Sequence, residues 1–152
     1  METTRRTFLK LAAAAGAVAG AGLMWTRQAW AQSWNKLGFE AKAVADVMKS
    51  LGATNAADSK DIVITAPDIA ENGAIVPVEV TSRIPGTQSI SIIAEKNPFP
   101  LAATVELANG SEPYTYVRIK MGETSNVRVL VKADGRYYTT AKEVKVTIGG
   151  CG

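Results

Sequence analysis

The only cysteine of this sequence, Cys151, is its second-to-last residue. It lies in the tail Thr147-Ile148-Gly149-Gly150-Cys151-Gly152, where Gly149, Gly150 and Gly152 leave it little chance of joining a core. A cysteine thiol is intrinsically very nucleophilic, and glycine permits almost any backbone direction. We therefore predict that residues 149–152 form a thin, flexible arm that carries a reactive sulfur roughly 10 Å beyond Ile148.

The rest of the sequence offers this thiol no chemical partner. There is no histidine, so Ser–His and Cys–His nucleophile pairs are excluded. With one cysteine, a Cys-x-x-Cys couple and ordinary zinc or copper sites are excluded as well, and no glycine-rich nucleotide-binding loop occurs. Asp58, Asp61 and Asp68 are either a calcium site or solvated loop carboxylates, and we favour the solvated carboxylates. The expectation is a chain with no metal, no cofactor and no enzymatic activity of its own.

The terminal carboxylate of Gly152 lies next to the thiol in the sequence. A nearby negative charge disfavours the thiolate and repels an anionic substrate. Positive groups that activate Cys151 must therefore come from another protein, which is what a carrier requires.

The amino-terminal residues have the pattern of an export signal. The paired arginines Arg5 and Arg6 precede an apolar run, and the small-x-small pattern of a signal-peptidase site ends at Ala31. Paired arginines are typical of the twin-arginine route, and the apolar run is shorter than the ~20 residues of a membrane span. We predict that residues 1–31 are cleaved off before Gln32, which gives a periplasmic protein without stable membrane association.

Cleavage also changes the charge of the chain. Residues 1–31 hold four of the 17 basic and one of the 14 acidic residues, so residues 32–152 carry 13 of each and no net charge. The basic character of the whole sequence belongs to the signal, and we expect no nucleic-acid partner. One unpaired cysteine in an oxidising compartment suggests an intermolecular bond or a reactive thiol.

The residues between signal and tail have two hydrophobic periods. Leu37, Ala41, Val44, Met48 and Leu51 recur every three or four residues, which predicts one helix over 35–51. After Gly52 the period is two, which predicts about seven short strands separated by turns. We therefore predict a mainly β domain over residues 32–148: an immunoglobulin-like antiparallel β-sandwich with one N-terminal helix. The apolar residues expected in the core are Val76, Val78, Val80, Ile84, Ile90, Ile92, Ala94, Leu101, Ala103, Val105, Leu107, Val117, Ile119, Met121, Val127, Val129, Val131, Val144, Val146 and Ile148.

Aromatic residues leave two questions open. Four tyrosines near predicted strand ends suit an interface, but strand tyrosines are as common without one; they are Tyr114, Tyr116, Tyr137 and Tyr138. Phe99 lies between two prolines, where it is either a rigid contact loop or a core plug, and we favour the plug.

Three stretches of the sequence carry a resemblance to a known family. They are the tail Val144-Lys145-Val146-Thr147-Ile148-Gly149-Gly150-Cys151-Gly152, the stretch Glu71-Asn72-Gly73-Ala74-Ile75-Val76-Pro77-Val78, and Glu95-Lys96-Asn97-Pro98-Phe99-Pro100. Together with the twin-arginine pattern and the β-rich body, they resemble the SoxY family of bacterial thiosulfate oxidation. The family tail usually ends Gly-Gly-Cys-Gly-Gly, whereas one glycine follows Cys151 here. We expect an added glycine to speed thiosulfate loading.

The resemblance implies a role and a set of partners. It implies an immunoglobulin-like domain that pairs with a SoxZ-like subunit and carries sulfur intermediates covalently on Cys151, with Gly149 and Gly150 as the arm. A SoxXA-like haem enzyme would load thiosulfate, a SoxB-like enzyme would release sulfate, and in some organisms a SoxCD-like enzyme would oxidise the remaining sulfur. The alternatives are a periplasmic adaptor whose tail cysteine only forms an intermolecular disulfide, and a sulfur-transfer enzyme that acts alone.

Overall fold

A computed structural model describes residues 35–108 and 110–147. The predicted export signal with Arg5 and Arg6, the predicted cleavage site and the predicted arm with Cys151 lie outside the described residues. The export signal, its cleavage and the flexible arm therefore stay predictions.

The predicted helix over 35–51 is two short helices, α1 (Lys36–Glu40) and α2 (Val44–Ser50). The backbone is extended at Ala41, which ends α1, and at Ala43, which precedes α2. This break explains a second difference from the sequence prediction. A continuous apolar stripe cannot cross it, so Leu37 is 77 % exposed, while Val47 of α2 is fully buried.

Strands make up about half of the described chain. They are β1 (Ala57–Asp58), β2 (Ile62–Thr65), β3 (Ile69–Ala70), β4 (Val76–Ser82), β5 (Thr87–Ala94), β6 (Leu101–Glu106), β7 (Tyr114–Ile119), β8 (Ser125–Ala133) and β9 (Arg136–Val146). The larger sheet has the order β1-β9-β8-β5-β6, with β3 also paired to β9, and the smaller sheet has the order β2-β4-β7. The long strands pair antiparallel, while the two-residue strands β1 and β3 run parallel to β9. The predicted immunoglobulin-like β-sandwich is confirmed.

The main core lies between the two sheets and follows the period of two. In β4, Val76, Val78 and Val80 are buried while Pro77 is exposed. Its buried members are Ile62, Ala70, Val76, Val78, Val80, Ile90, Ile92, Ala94, Ile119, Met121, Val127, Val129, Val131 and Val144. A smaller cluster, in which Val47 meets Ile93 and Leu101, covers the outer face of the larger sheet with the helices.

A β-bulge changes the face on which Leu101 lies. Ile92 pairs with Ala103, but the next residue, Ile93, pairs with Leu101, so Ala102 is an extra residue in β6. Because one extra residue reverses the alternation of faces, Leu101 joins the helix cluster instead of the sandwich core. The prediction that Leu101 and Ala103 share one face is wrong for this reason.

The strand directions define two ends of the sandwich. We call one the arm end: the last residues of β9 with segments 66–75, 95–100 and 120–124. The opposite end consists of segments 83–86, 107–108, 110–113 and the turn at Asp134-Gly135.

Candidate functional site

The predicted arm follows the carboxyl end of β9, whose backbone is held on one side by β3. Ile69 pairs with Lys145, and Ala70 pairs with Val146. The N–H of Thr147 donates to the carbonyl of Ala70 at 3.1 Å. Thr147 is the last described residue, so main-chain hydrogen bonds hold the chain up to four residues before Cys151.

Thr124 holds the other side of the same strand. The N–H of Val146 donates to the Thr124 hydroxyl at 2.9 Å, and that hydroxyl lies 3.4 Å from the carbonyl oxygen of Val146, to which it donates. One side chain thus satisfies both polar groups of the Val146 backbone, beyond the last residue pair of β8 and β9. The end of β9 is therefore hydrogen-bonded on both sides: Val146 bonds Thr124, and Thr147 bonds Ala70 on the other side.

Gly73 packs behind Val146 at a position where only glycine fits. A Cβ atom built on Gly73 would collide with the carbonyl oxygen of Met121 and lie 2.8 Å from Cγ1 of Val146. The main-chain N–H of Met121 donates to the carbonyl of Gly73 at 2.7 Å. Close approach of two backbones is a common reason for a glycine, and here it brings segment 71–75 against the end of β9.

Asn72 shapes the turn that contains this glycine. Its side-chain oxygen accepts from the N–H of Ala74 at 2.9 Å, and its carbonyl accepts from Ile75 at 3.2 Å. An asparagine that bonds its own backbone two residues on mimics a backbone turn. Asn72, in the family-like stretch that begins at Glu71, therefore stabilises the turn in which Gly73 lies.

Asn97 ties a third segment to the arm end. Its amide nitrogen donates to the carbonyl of Lys120 at 2.6 Å, and its side-chain oxygen accepts from the N–H of Gly122 at 3.2 Å. Met121, which lies between these two residues, is the residue bonded to Gly73. The three segments of the arm end are thus linked through one turn at 120–122.

Phe99 is 53 % exposed, so the expectation that it plugs the core is wrong and the contact-loop alternative fits. The neighbouring residues explain this position. Pro100 is buried and its carbonyl accepts from Ala94, and Leu101 turns into the helix cluster. With the residues that follow it directed inward, Phe99 remains at the surface of the loop.

Lys142 of β9 binds two residues of segment 66–75 at the arm end. Its ammonium donates to the carbonyl of Ala66 at 2.6 Å and lies 3.0 Å from a carboxylate oxygen of Asp68. The lysine side chain is 33 % exposed and that of Asp68 is 88 % exposed. Asp68 is thus an exposed carboxylate with an ion-pair partner, while Asp58 lies in the exposed strand β1.

The four tyrosines separate into exposed and half-buried pairs. Tyr114 and Tyr116 on β7 are 42 % and 45 % exposed, whereas Tyr137 and Tyr138 are half-buried, and Tyr138 packs against the main core. Of the four tyrosines, only the β7 pair presents aromatic surface of the kind that an interface uses.

Two side chains on this face of β7, Tyr114 and Arg118, have raised pKa values. Partial desolvation, and next the negative charge of Glu79, raise the pKa of Tyr114. A hydrogen bond from Arg118 Nε to the Tyr116 hydroxyl, 3.3 Å long, raises the pKa of the Arg118 guanidinium.

The described residues offer structural support rather than reactive groups. Within 35–108 and 110–147, no group of three or more His, Cys, Asp or Glu side chains could hold a metal ion. In the same residues, no helix has the length and apolarity needed to cross a membrane. What the arm end can do chemically is hold the base of a thiol-bearing tail in a fixed place.

Sequence reasoning missed three residues of this site. Gly73 and Asn97 lie in two of the family-like stretches. Asn-Gly and Asn-Pro dipeptides are typical of turns, but they do not indicate the long-range contacts of these two residues. No sequence pattern identifies Thr124, because its hydroxyl bonds Val146, which lies 22 positions away in the sequence.

The fold and the site define a class: an immunoglobulin-like β-sandwich whose last strand is anchored on both sides and continues into a cysteine-bearing tail. A family model described as sulfur oxidation protein SoxY matches residues 47–151. This chain belongs to the SoxY family. The match includes the tail as far as Cys151.

Solved structures agree with this assignment. The structure of the sulfur carrier protein SoxY from Chlorobium limicola f thiosulfatophilum is 37 % identical and covers 75 % of this chain and 100 % of its own, with a TM-score of 0.64. The superoxide reductase (neelaredoxin) from Ignicoccus hospitalis is 18 % identical over 57 % of this chain and 80 % of its own, with a TM-score of 0.50, which shows similarity of fold alone. No curated protein matches the chain significantly.

Proposed function

We propose that this chain is a periplasmic sulfur carrier that binds oxidation intermediates covalently through Cys151 and presents them to separate enzymes. The observation that carries the proposal is the SoxY family match, which extends through residue 151 and so includes the cysteine. The anchored end of β9 supports it, because a carrier needs a fixed point from which its arm extends.

The proposed loading step is oxidative. The Cys151 thiol and thiosulfate combine to a Cys–S–S–SO₃⁻ adduct and release one proton and two electrons, which a SoxXA-like haem enzyme accepts. Water then releases sulfate in a SoxB-like enzyme and leaves a Cys–S–SH persulfide. A SoxCD-like enzyme, where one is present, would oxidise the remaining sulfur. Cys151 is the attachment point in each step, and the partner enzymes supply the electron acceptor and the base.

The proposal includes a SoxZ-like subunit as the stable partner and export by the twin-arginine route. Replacement of Arg5 and Arg6 by lysine should leave the protein in the cytoplasm, because this route requires the arginine pair. Cell fractionation measures this, and the mature protein should begin at Gln32. A periplasmic double variant would overturn the proposed route.

The Cys151→Ser variant tests the function. In a system reconstituted with the SoxZ-like, SoxXA-like and SoxB-like proteins, thiosulfate-dependent electron transfer should fall to background, because a serine hydroxyl cannot form the adduct. The melting temperature should not change. Electron transfer that persists in the variant, together with loss of only a disulfide-linked dimer, would favour the adaptor alternative.

A further inference from the structure

Three exposed apolar side chains lie at the arm end. Ile69 and Ile75 are each 57 % exposed and Phe99 is 53 % exposed. The other large apolar or aromatic side chains with such exposure among the described residues are Leu37 on α1 and the β7 tyrosines. All three lie on segments of one end of the sandwich, whereas exposed apolar residues scattered singly over a surface need no explanation.

Hydrogen bonds place the segments of these three residues around the end of β9. Ile69 pairs with Lys145 within β9 itself. Ile75 ends the turn whose glycine packs on Val146. Phe99 follows Asn97, which is bonded to the turn at 120–122. All three side chains are therefore carried by segments that are fixed relative to the strand from which the tail departs.

The length of the tail decides what must cover this surface. Cys151 lies four positions after Thr147, a span of at most about 14 Å when fully extended. An enzyme that takes the thiol into its active site must therefore bring the entrance of that site within this distance of Thr147. A folded protein so close to the end of β9 must contact the segments around it.

We propose that Ile69, Ile75 and Phe99 form a docking surface, the arm collar, for the apolar rim of the active-site entrance of each enzyme that takes up Cys151. This inference rests on the proposed function. Phe99 is the central contact, because the flanking prolines restrict its backbone and the hydrogen bonds of Asn97 hold its loop. A preorganised contact residue loses little conformational freedom on binding.

The arm collar predicts a defined kinetic effect. The substrate is the mature chain with its SoxZ-like subunit, loaded as the Cys–S–S–SO₃⁻ adduct, and sulfate release by the SoxB-like enzyme is measured. Phe99→Ser and Ile75→Ser should each raise KM about tenfold, in the range of a strong interface contact, and leave kcat unchanged. The matched control is Leu37→Ser, an exposed apolar residue on α1 outside the segments of the arm end, which should leave KM unchanged.

Other outcomes have distinct meanings. Equal KM values for Phe99→Ser, Ile75→Ser and the wild type would overturn the arm collar while sulfate release by the wild type preserves the proposed function. Loss of the SoxZ-like subunit from the variants in size-exclusion chromatography, with KM unchanged, would assign the surface to that subunit instead. A wild-type adduct that is not hydrolysed would overturn the proposed function and the arm collar together. The rate of Cys151 alkylation by iodoacetamide should be equal in all proteins, because a small reagent needs no docking surface.

Discussion

The two ends of the sandwich are built in different ways. At the opposite end, turns use residues in the left-handed region: Gly86, Gly110, Asp134 and Gly135 have φ values of 69°, 84°, 47° and 74°. At the arm end, no residue of segments 66–75, 95–100 or 120–124 has a positive φ. Those segments are held by side-chain hydrogen bonds, among them bonds of Asn72, Asn97 and Thr124. The side-chain bonds of Ser82 and Thr87 at the opposite end reach at most five positions along the chain.

The difference lies in the range of the interactions. A glycine turn solves a local problem and fixes only the strands that it joins. Asn97 and Thr124 bond residues 22 to 25 positions away in sequence, so they fix separate segments relative to one another. An end that must hold the base of an arm and present a surface around it needs this second kind of connection.

The surfaces of the two ends differ as well. A cleft of about 540 Å³ at the opposite end is lined largely by small and polar turn residues, including Ser82, Thr87 and Ser111. The arm end instead exposes Ile75 and Phe99. The arm end is thus suited to contact with a protein surface.

The largest effect on stability is expected at Gly73. In Gly73→Ala the new methyl group collides with the Met121 carbonyl oxygen, a backbone atom that cannot move aside. We expect the free energy of unfolding to fall by about 2–3 kcal/mol, the upper range for overpacking. Urea denaturation followed by circular dichroism measures it.

Two other glycines calibrate this result. Gly110→Ala at the opposite end meets no atom within 4 Å but keeps φ at 84°, so we expect a loss of about 1 kcal/mol from backbone strain alone. Gly122→Ala has open space and no positive φ and should be neutral to within about 0.5 kcal/mol. If Gly73→Ala were no more destabilising than Gly110→Ala, the close contact behind Val146 would be wrong.

A smaller effect is expected at Thr124. Thr124→Val keeps the shape of the side chain but removes the hydroxyl that bonds the Val146 backbone, which should cost about 1 kcal/mol. Amide hydrogen exchange at Val146 should accelerate, because its N–H loses its acceptor. The control is Thr65→Val on the exposed edge of β2, where no change in Val146 exchange is expected. Unchanged exchange in the Thr124 variant would contradict the role of this hydroxyl.

The smallest effect is expected at Asn97, whose hydrogen bonds lie at the surface. Asn97→Ala should lower the free energy of unfolding by about 0.5–1 kcal/mol. It should also raise KM for sulfate release, because Phe99 loses its support. Asn55→Ala, an exposed residue in the loop after α2, should change neither quantity. A variant with normal KM would show that Asn97 does not position Phe99.

The fold was largely predictable because the period of two is a local signal. Val76, Val78 and Val80, and likewise Val127, Val129 and Val131, are buried as their alternation predicted. The prediction of one helix over 35–51 was wrong because the apolar residues keep a helical spacing across Ala41, where the backbone is extended. The face of Leu101 was predicted wrongly because the bulge in β6 depends on pairing with β5, which no local pattern shows.

The sequence predicts the thiol of the candidate site, but it does not predict the contacts that hold the end of β9. A lone cysteine among glycines can be recognised from the sequence, since the chemistry depends on residue type. The base depends on contacts that join Gly73, Met121 and Val146 across the whole domain, and these exist only once the sheets have formed. Phe99 could have been a plug or a contact, and the packing of Pro100 and Leu101 decides between them.

Intact-mass measurement of the mature periplasmic protein, before and after reduction, tests the carrier role of the arm end most directly. We expect an adduct of sulfur or thiosulfate-derived size that reduction removes and that peptide mapping assigns to Cys151. An unmodified thiol or a plain disulfide dimer, even after exposure to thiosulfate and the partner enzymes, would contradict it.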